Sequence, residues 1–344
     1  MNTKPMNTKP MSTDLDVEVL DPRHDPEPAY WAALRARAGL RADWAWDMLG
    51  TSAWLARLPL LVAVLHRAGA PVGVATGTYS GLPYHPKRFV PVRGGPLVGV
   101  WHVRAPASSA LPGWWLDDGL TVRDVLRCRP AIGRGCAGVL LRQVGPEDLA
   151  VLPARARLVR PTEPTWTLPV HDVGDVTEWI GGLRRKRRAH LRATWRETND
   201  DQRIVVDVAT ASTTDPAEVA HLLRHNENKY HGRFSPLPTA AGYLGALMRR
   251  DDVLTVTYRD RDTSALLAVG VTLDHPRWPM PRYWSMLPVE RGGVRNAYFH
   301  HLTVLVDWAI GNGKQGLLLG KGKSEVKESL GAVPTEQSAV LVVR

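Results

Sequence analysis

A chain of 344 residues with a net charge of +10, 44% hydrophobic and 23% charged residues, has globular composition and exceeds one ordinary compact domain, so two domains sharing an interface are expected. Its two cysteines, Cys128 and Cys136, exclude a disulfide framework and a four-cysteine zinc site. No run approaches the roughly 20 apolar residues of a membrane span and no secretory signal opens the chain, so a cytoplasmic location is expected.

Residues 1–16 begin with a polar five-residue unit written twice (MNTKPMNTKP) and read as a disordered leader. Tyr30 to Leu55 reads as a helix with Trp31, Leu34, Leu40, Trp44 and Leu49 along it. Leu60–Leu65 and Val72–Tyr79, joined by an Ala-Gly-Ala-Pro turn, form a hairpin. The Pro/Gly/Trp-rich stretch from Gly81 to Gly119 reads as irregular, with one short strand near Val98–Val103. Ala137–Gln143 is a strand, Pro146 opens a helix, and Thr165–Val170 closes the first half.

The second half repeats that progression. Asp175 can cap a helix, Ile204–Ala209 is a strand, and Asp215-Pro216 starts a helix running toward Tyr230. Val253–Arg259 and Ala265–Leu273 form a hairpin, and Pro281–Leu287 adds a strand. Tyr298, Leu302, Leu305, Val306, Ala309 and Ile310 recur at helical spacing up to Asn312-Gly313, Gly316–Leu319 is a short buried strand, and Ser324 begins the next helix. The expected class is therefore α/β (α+β), with two mixed-sheet domains in tandem divided into 17–164 and 165–344.

Three features carry candidate chemistry. Residues 184–196 (RRKRRAHLRATWR) hold seven Lys or Arg and no acid, so removing them from +10 would leave +3. On a helix Arg184, Arg188, Arg192 and Arg196 form a stripe flanked by Lys186 and Arg187. Such a stripe suits a phosphate backbone, because the planar guanidinium pairs two phosphate oxygens; the alternative is a solvated face. Gly320-Lys321-Gly322-Lys323-Ser324 follows a strand and opens a helix, a context for an anion. It is not a P-loop, since Leu317 stands where the first glycine is required, and a plain strand-to-helix turn remains the alternative. Asn226-Glu227-Asn228-Lys229-Tyr230-His231 brings a carboxylate, a phenol and an imidazole to one helix end. Those groups can deprotonate an attacking amine and protonate a leaving atom, against the alternative of an exposed helix terminus. The thirteen tryptophans read first as core, second as an aromatic pocket. His300 and His301 are adjacent and do not face one metal site.

The order of elements resembles the tandem-GNAT transferases, which include the Fem family of aminoacyl-tRNA-dependent transferases and related acyltransferases of bacterial biosynthetic pathways, among them antibiotic biosynthesis. The likeness lies mainly in LRRKRRAHLRATWRE, IVVDVA and RNAYFHHLTVLVDWAIGNGKQGLLLGKGKSEVKESLGA. It covers 165–344, and reaches the first, degenerate half only through element order. The resemblance implies direct attack by an amine or hydroxyl of a small biosynthetic or peptide acceptor on an activated acyl group. Neither a metal, a cofactor nor a covalent enzyme intermediate is expected. Catalysis is expected from Glu227, Tyr230 and His231, and an acceptor pocket at Asn226, Trp284, Ser285 and Tyr298. Donor binding is expected from Arg184, Lys186, Arg187, Arg188, Arg192, Arg291, Asn296, Lys321, Lys323, Ser324 and Lys327. Acyl-CoA users of this family carry an Arg/Gln-x-x-Gly-x-Gly/Ala loop, whereas Arg291-Gly292-Gly293-Val294-Arg295-Asn296-Ala297 has Val294 at the first loop glycine. The basic helix favours aminoacyl-tRNA as donor, with acyl-CoA or acyl carrier protein as the alternative and a non-catalytic nucleic-acid-binding protein, though not a DNA binder, as a remote one.

Overall fold

The computed structural model describes residues 15–56, 58–82, 98–133, 135–154, 157–227, the backbone of 228–229, and 239–343. β1 (Leu15–Leu20) begins inside the leader expected over 1–16 and is followed by α1 (Trp31–Arg37) and α2 (Trp46–Leu55). The single helix expected over Tyr30–Leu55 is therefore broken. Gly39 adopts φ +58°, a left-handed conformation that ends a helix, and a 3₁₀ turn at Ala42–Trp44 intervenes. The Trp31 indole N–H donates to the Trp44 carbonyl (3.0 Å) and fixes the break.

β2 (Leu60–Arg67) and β3 (Ala70–Leu82) make the expected hairpin, and β4 (Val98–Val103) occupies the expected strand. β5 (Trp114–Leu116) lies in the stretch read as irregular, and α3 (Val122–Val125) and α4 (Arg129–Ile132) lie where no element was assigned. β6 (Cys136–Val144) and α5 (Pro146–Val151) follow as expected. β7 runs Arg157–Pro169, eight residues earlier than the strand expected from Thr165, so a division at 164/165 cuts through it. Pro161 and Pro164 hide it in the sequence; the ladder accommodates Pro164 at an irregularity, where register passes from Thr335↔Thr165 to Gln337↔Thr162.

α6 (Val176–Gly182) is capped by the Asp175 carboxylate, which accepts the Glu178 N–H at 2.7 Å. Then come α7 (Arg185–Asp200), β8 (Ile204–Thr210), α8 (Pro216–Lys229), α9 (Ala241–Met248), β9 (Val253–Asp260), β10 (Leu266–Leu273) and β11 (Met280–Met286). α10 (Ala297–Gly311), β12 (Gly316–Gly320), α11 (Ser324–Ser329) and β13 (Val333–Val343) complete the chain. Of these, α9 and β13 were not legible from periodicity.

The strands form two sheets. One has nine strands in the order β1-β2-β3-β4-β6-β13-β7-β12, with β5 on β3; the other is β11-β10-β9-β8. The final strand of the chain, β13, lies between β6 and β7, and β7 in turn borders β12. Each half thus places its last strand in the other half's territory, which binds the halves through backbone ladders. Apolar side chains of β9 to β11 point to both faces of the second sheet. On one face Val256, Tyr258 and Ala268 pack with Trp179, Leu191, Leu302 and Leu305 of α6, α7 and α10. On the other Val269, Val271 and Leu273 pack with Met48 of α2, Leu222 of α8 and Leu244 of α9. This two-sided burial matches the near-continuous apolar runs of these strands.

Candidate active site

Between β11 and β12 the sheet is interrupted. β11 and β12 are joined only at their roots, where the Gln315 N–H donates to the Arg277 carbonyl (2.9 Å) and the Leu318 N–H to that of Pro279 (2.8 Å). Beyond Pro279 they part into different sheets, and no ladder joins them. The strands in the matching places of the first half, β4 and β6, remain paired in parallel from Gly99↔Cys136 to Val103↔Leu141. β11 and β12 have no such pairing.

Asn296 (φ 55°), before α10, and Lys323 (φ 54°), before α11, are in left-handed conformation. Asparagine tolerates this conformation; lysine does so at a cost of roughly 1 kcal/mol that its surroundings must offset.

The end of α8 lies against β11. The Asn226 side-chain amide donates to the Trp284 carbonyl (3.1 Å), and the buried Ser285 hydroxyl donates to that of Leu222 (2.6 Å). Ser285 is thus a strut between strand and helix. The Glu227 carboxylate accepts the Thr239 N–H at 2.9 Å, and its other oxygen stands 3.7 Å from Arg224 Nε. Tyr230 and His231 lie outside the described residues.

Behind β11, the Trp284 ring stacks on His301 at 4.5 Å and 23°, with Tyr258 and Tyr298 meeting it edge-on. Burial raises the pKa of Tyr298. His301 is buried with no hydrogen-bond partner at either ring nitrogen among the described residues. Burial, reinforced by neighbouring His300, pushes its pKa down to about 3, so the ring is neutral. His300 Nε2 lies 3.2 Å from the Asn199 carboxamide oxygen, which makes that nitrogen the donor and leaves Nδ1 to accept the Tyr258 O–H at 2.8 Å. Gly270 of β10 makes room for this group: a Cβ there would lie 2.0 Å from His301 Cε1. Among the described residues no three metal-binding side chains cluster.

The expected donor-binding residues fall at three places rather than one. At the start of α7, Arg184, Lys186 and Arg192 are exposed, while Arg187 donates to Ser329 Oγ (2.9 Å), lies 4.4 Å from the centroid of Phe299, and Arg188 donates to the Gly181 carbonyl. The basic helix therefore meets the far end of α11, not the Gly320 turn. At the other end of α7, Arg291 lines a cavity of about 570 Å³ with Glu197, Asp201, Arg203 and Arg295, on the loop that ends at Asn296. The Gly320 turn faces the first half. Lys321 donates to Thr162 Oγ1 (3.1 Å), and Ala110 lies beneath Gly320. Lys323 and Ser324 are exposed, whereas Lys327 is turned inward, its ammonium donating to the Gly320 and Lys321 carbonyls at 2.8 and 2.7 Å. Burial lowers its pKa to about 8, against the opposing pull of Glu163.

No family model matches the chain, and no curated protein matches it. Solved structures do. L-PGS from Bacillus licheniformis is 12% identical, with 92% of each chain covered and a TM-score of 0.58. FemX is 11% identical over 84% of this chain and 89% of that one, with a TM-score of 0.57. A conserved protein of unknown function from Bacteroides thetaiotaomicron is 10% identical over 94% and 100%, with a TM-score of 0.60. At these identities the likeness is one of fold: two GNAT-like mixed-sheet units in tandem. Among the described residues no helix is long and apolar enough to cross a membrane.

Proposed function

We propose that the chain is an acyltransferase that moves an aminoacyl or acyl group from an activated carrier to an amine or hydroxyl by direct attack. The observation that carries this reading is the parting of β11 and β12 in the second half alone, which leaves unpaired strand edges beside α10 where an extended acyl carrier can lie. The acceptor heteroatom would form a bond to the acyl carbon as the bond to the carrier breaks. Glu227, held at the end of α8 over β11 by the Thr239 N–H, is the carboxylate available to take the acceptor's proton, with Tyr230 and His231 next in sequence to return one to the leaving atom. Orientation in the cleft would supply much of the acceleration.

Aminoacyl-tRNA is the favoured donor. Arg184, Arg185, Lys186, Arg192 and Arg196 leave an exposed cationic face on α7, which packs against α10. That face suits a polyphosphate strand better than a single pyrophosphate. The cavity beside Arg291 and Arg295 supports the second reading, an acyl-CoA or acyl carrier protein. Mass spectrometry of products formed with an acceptor library and either charged tRNA or acyl-CoA tests both. Adducts only with charged tRNA are expected; adducts only with acyl-CoA would reverse the donor assignment, and none with either would end the transfer reading.

A further inference from the structure

A second cavity, of about 390 Å³, lies where the two halves meet. Its walls come from both: Leu55 and Leu60 of the first half, Tyr243 and Tyr283 of the second, with Thr239 and Arg104 at its polar points. Tyr283 precedes Trp284 on β11, and Thr239 is the residue whose N–H holds Glu227, so the cavity adjoins the carboxylate assigned as base.

Among the described lining residues one carries a charge, Arg104. The Arg104 guanidinium makes no hydrogen bond or ion pair among the described residues, while its backbone N–H donates to the Thr76 carbonyl (3.0 Å). Arg104 and Arg142 follow Val103 and Leu141, a register pair of parallel neighbours, and Arg142 lowers the pKa of both Arg104 and His102, in each case after burial. On another side Arg282 donates to the Ala107 carbonyl and lies 4.8 Å from the centroid of the Tyr283 ring. Of the acids nearby, Glu227 accepts the Thr239 N–H, and buried Asp43 has its pKa raised to about 6 by burial against the pull of Arg282, Arg41 and Arg35.

From this we infer that the inter-half cavity binds the acceptor, and that the acceptor is an anion: an apolar or aromatic body held between Tyr243 and Tyr283, with a carboxylate or phosphate paired to Arg104. A free guanidinium beside apolar walls recognises such a group through a two-pronged, charge-assisted contact. The word acceptor rests on the transfer reading; the binding does not, and is measured without a donor.

Isothermal titration calorimetry of the full chain with phenyl phosphate, phenylacetate, benzyl alcohol and benzylamine tests it. At least one of the two anions should bind about tenfold more tightly than either uncharged benzyl alcohol or cationic benzylamine, as one charge-assisted contact supplies. Which of the two leads separates a phosphate-bearing acceptor from a carboxylate. Arg104→Gln should abolish the preference and Arg104→Lys should retain most of it. Arg160→Gln, an exposed arginine of β7 outside the cavity, should change nothing. No detectable binding of either anion, equal affinity for all four probes, or a preference that survives Arg104→Gln would overturn the assignment.

Discussion

Replacing Arg184, Lys186 and Arg192 together by Ala should weaken tRNA binding and flatten its salt dependence while leaving the fold intact. Of the seven cations between 184 and 196, Arg187 and Arg188 are committed within the protein to Ser329, Phe299 and Gly181. The other five are exposed, and of these Arg196 donates its Nε–H to the Arg192 carbonyl (3.3 Å). Each phosphate contact contributes about 0.7–0.9 to the slope of log K against log salt, so three lost contacts should reduce it by roughly 2–3. At about 1 kcal/mol per contact, affinity at low salt should drop on the order of 100-fold. Fluorescence anisotropy with labelled tRNA from 50 to 300 mM KCl would measure both quantities. An unchanged slope would refute the argument that α7 follows a phosphate backbone, whatever happened to affinity at a single salt concentration. Arg187→Ala provides the contrast, because its loss should lower the melting temperature more than the salt slope.

Gly270→Val should destabilise the protein by about 1–3 kcal/mol or more, since even its Cβ would lie 2.0 Å from His301; thermal unfolding followed by near-ultraviolet circular dichroism would show it, with loss of signal from the displaced Trp284. Glu227→Gln should lower kcat by about 100-fold with little change in binding if the carboxylate is the base, whereas a fall confined to stability would reduce it to the tether of Thr239. Stability should decline as pH falls from about 6.5 toward 4. His300 and His301 are held neutral in the fold, at about 4 and 3, and protonate more readily when unfolded; Asp43, raised to about 6, opposes this between pH 4 and 6. His301→Phe, which keeps a ring against Trp284, should make the acid decline shallower, and an unaltered profile would show that His301 does not titrate on unfolding.

The elements legible in the sequence were those whose own side chains announce them. The hairpin of β2 and β3 has its turn written out, Asp175 stands where a cap is needed, and α10 carries an apolar stripe. β7 and β13 were obscured because their stability comes from each other: prolines and polar residues interrupt both, and the ladder between them supplies what local propensity does not. For the candidate site, a polar helix end drew attention to Asn226 and Glu227; in the fold Asn226 donates to the Trp284 carbonyl and Glu227 accepts the Thr239 N–H. Sequence spacing could not tell that Ser285 and Lys327 spend their polar groups on backbone carbonyls. Gly270 is silent in sequence, because a single glycine in a strand gives no sign that His301 fills the space above it. The cavity at Arg104, Tyr243 and Tyr283 assembles only when the halves dock.

That docking also explains how the first half can serve the second. β4 and β6 stay paired along their ladder, unlike β11 and β12. The first half contributes at the border. β7 pairs with β12, the strand that forms one wall of the cleft, and Ala110 and Thr162 support the turn at its end. Arg35 pairs with Asp252, Asp47 lies 3.1 Å from Arg250, and Arg41 donates to the Trp278 carbonyl just before the strands part. These contacts meet the second half near the root of the cleft, so loosening them should alter the separation of β11 and β12 before it unfolds either sheet. On the transfer reading, the first half thus sets the separation of β11 and β12 and supplies Arg104 to the proposed acceptor cavity, through its surface and its last strand.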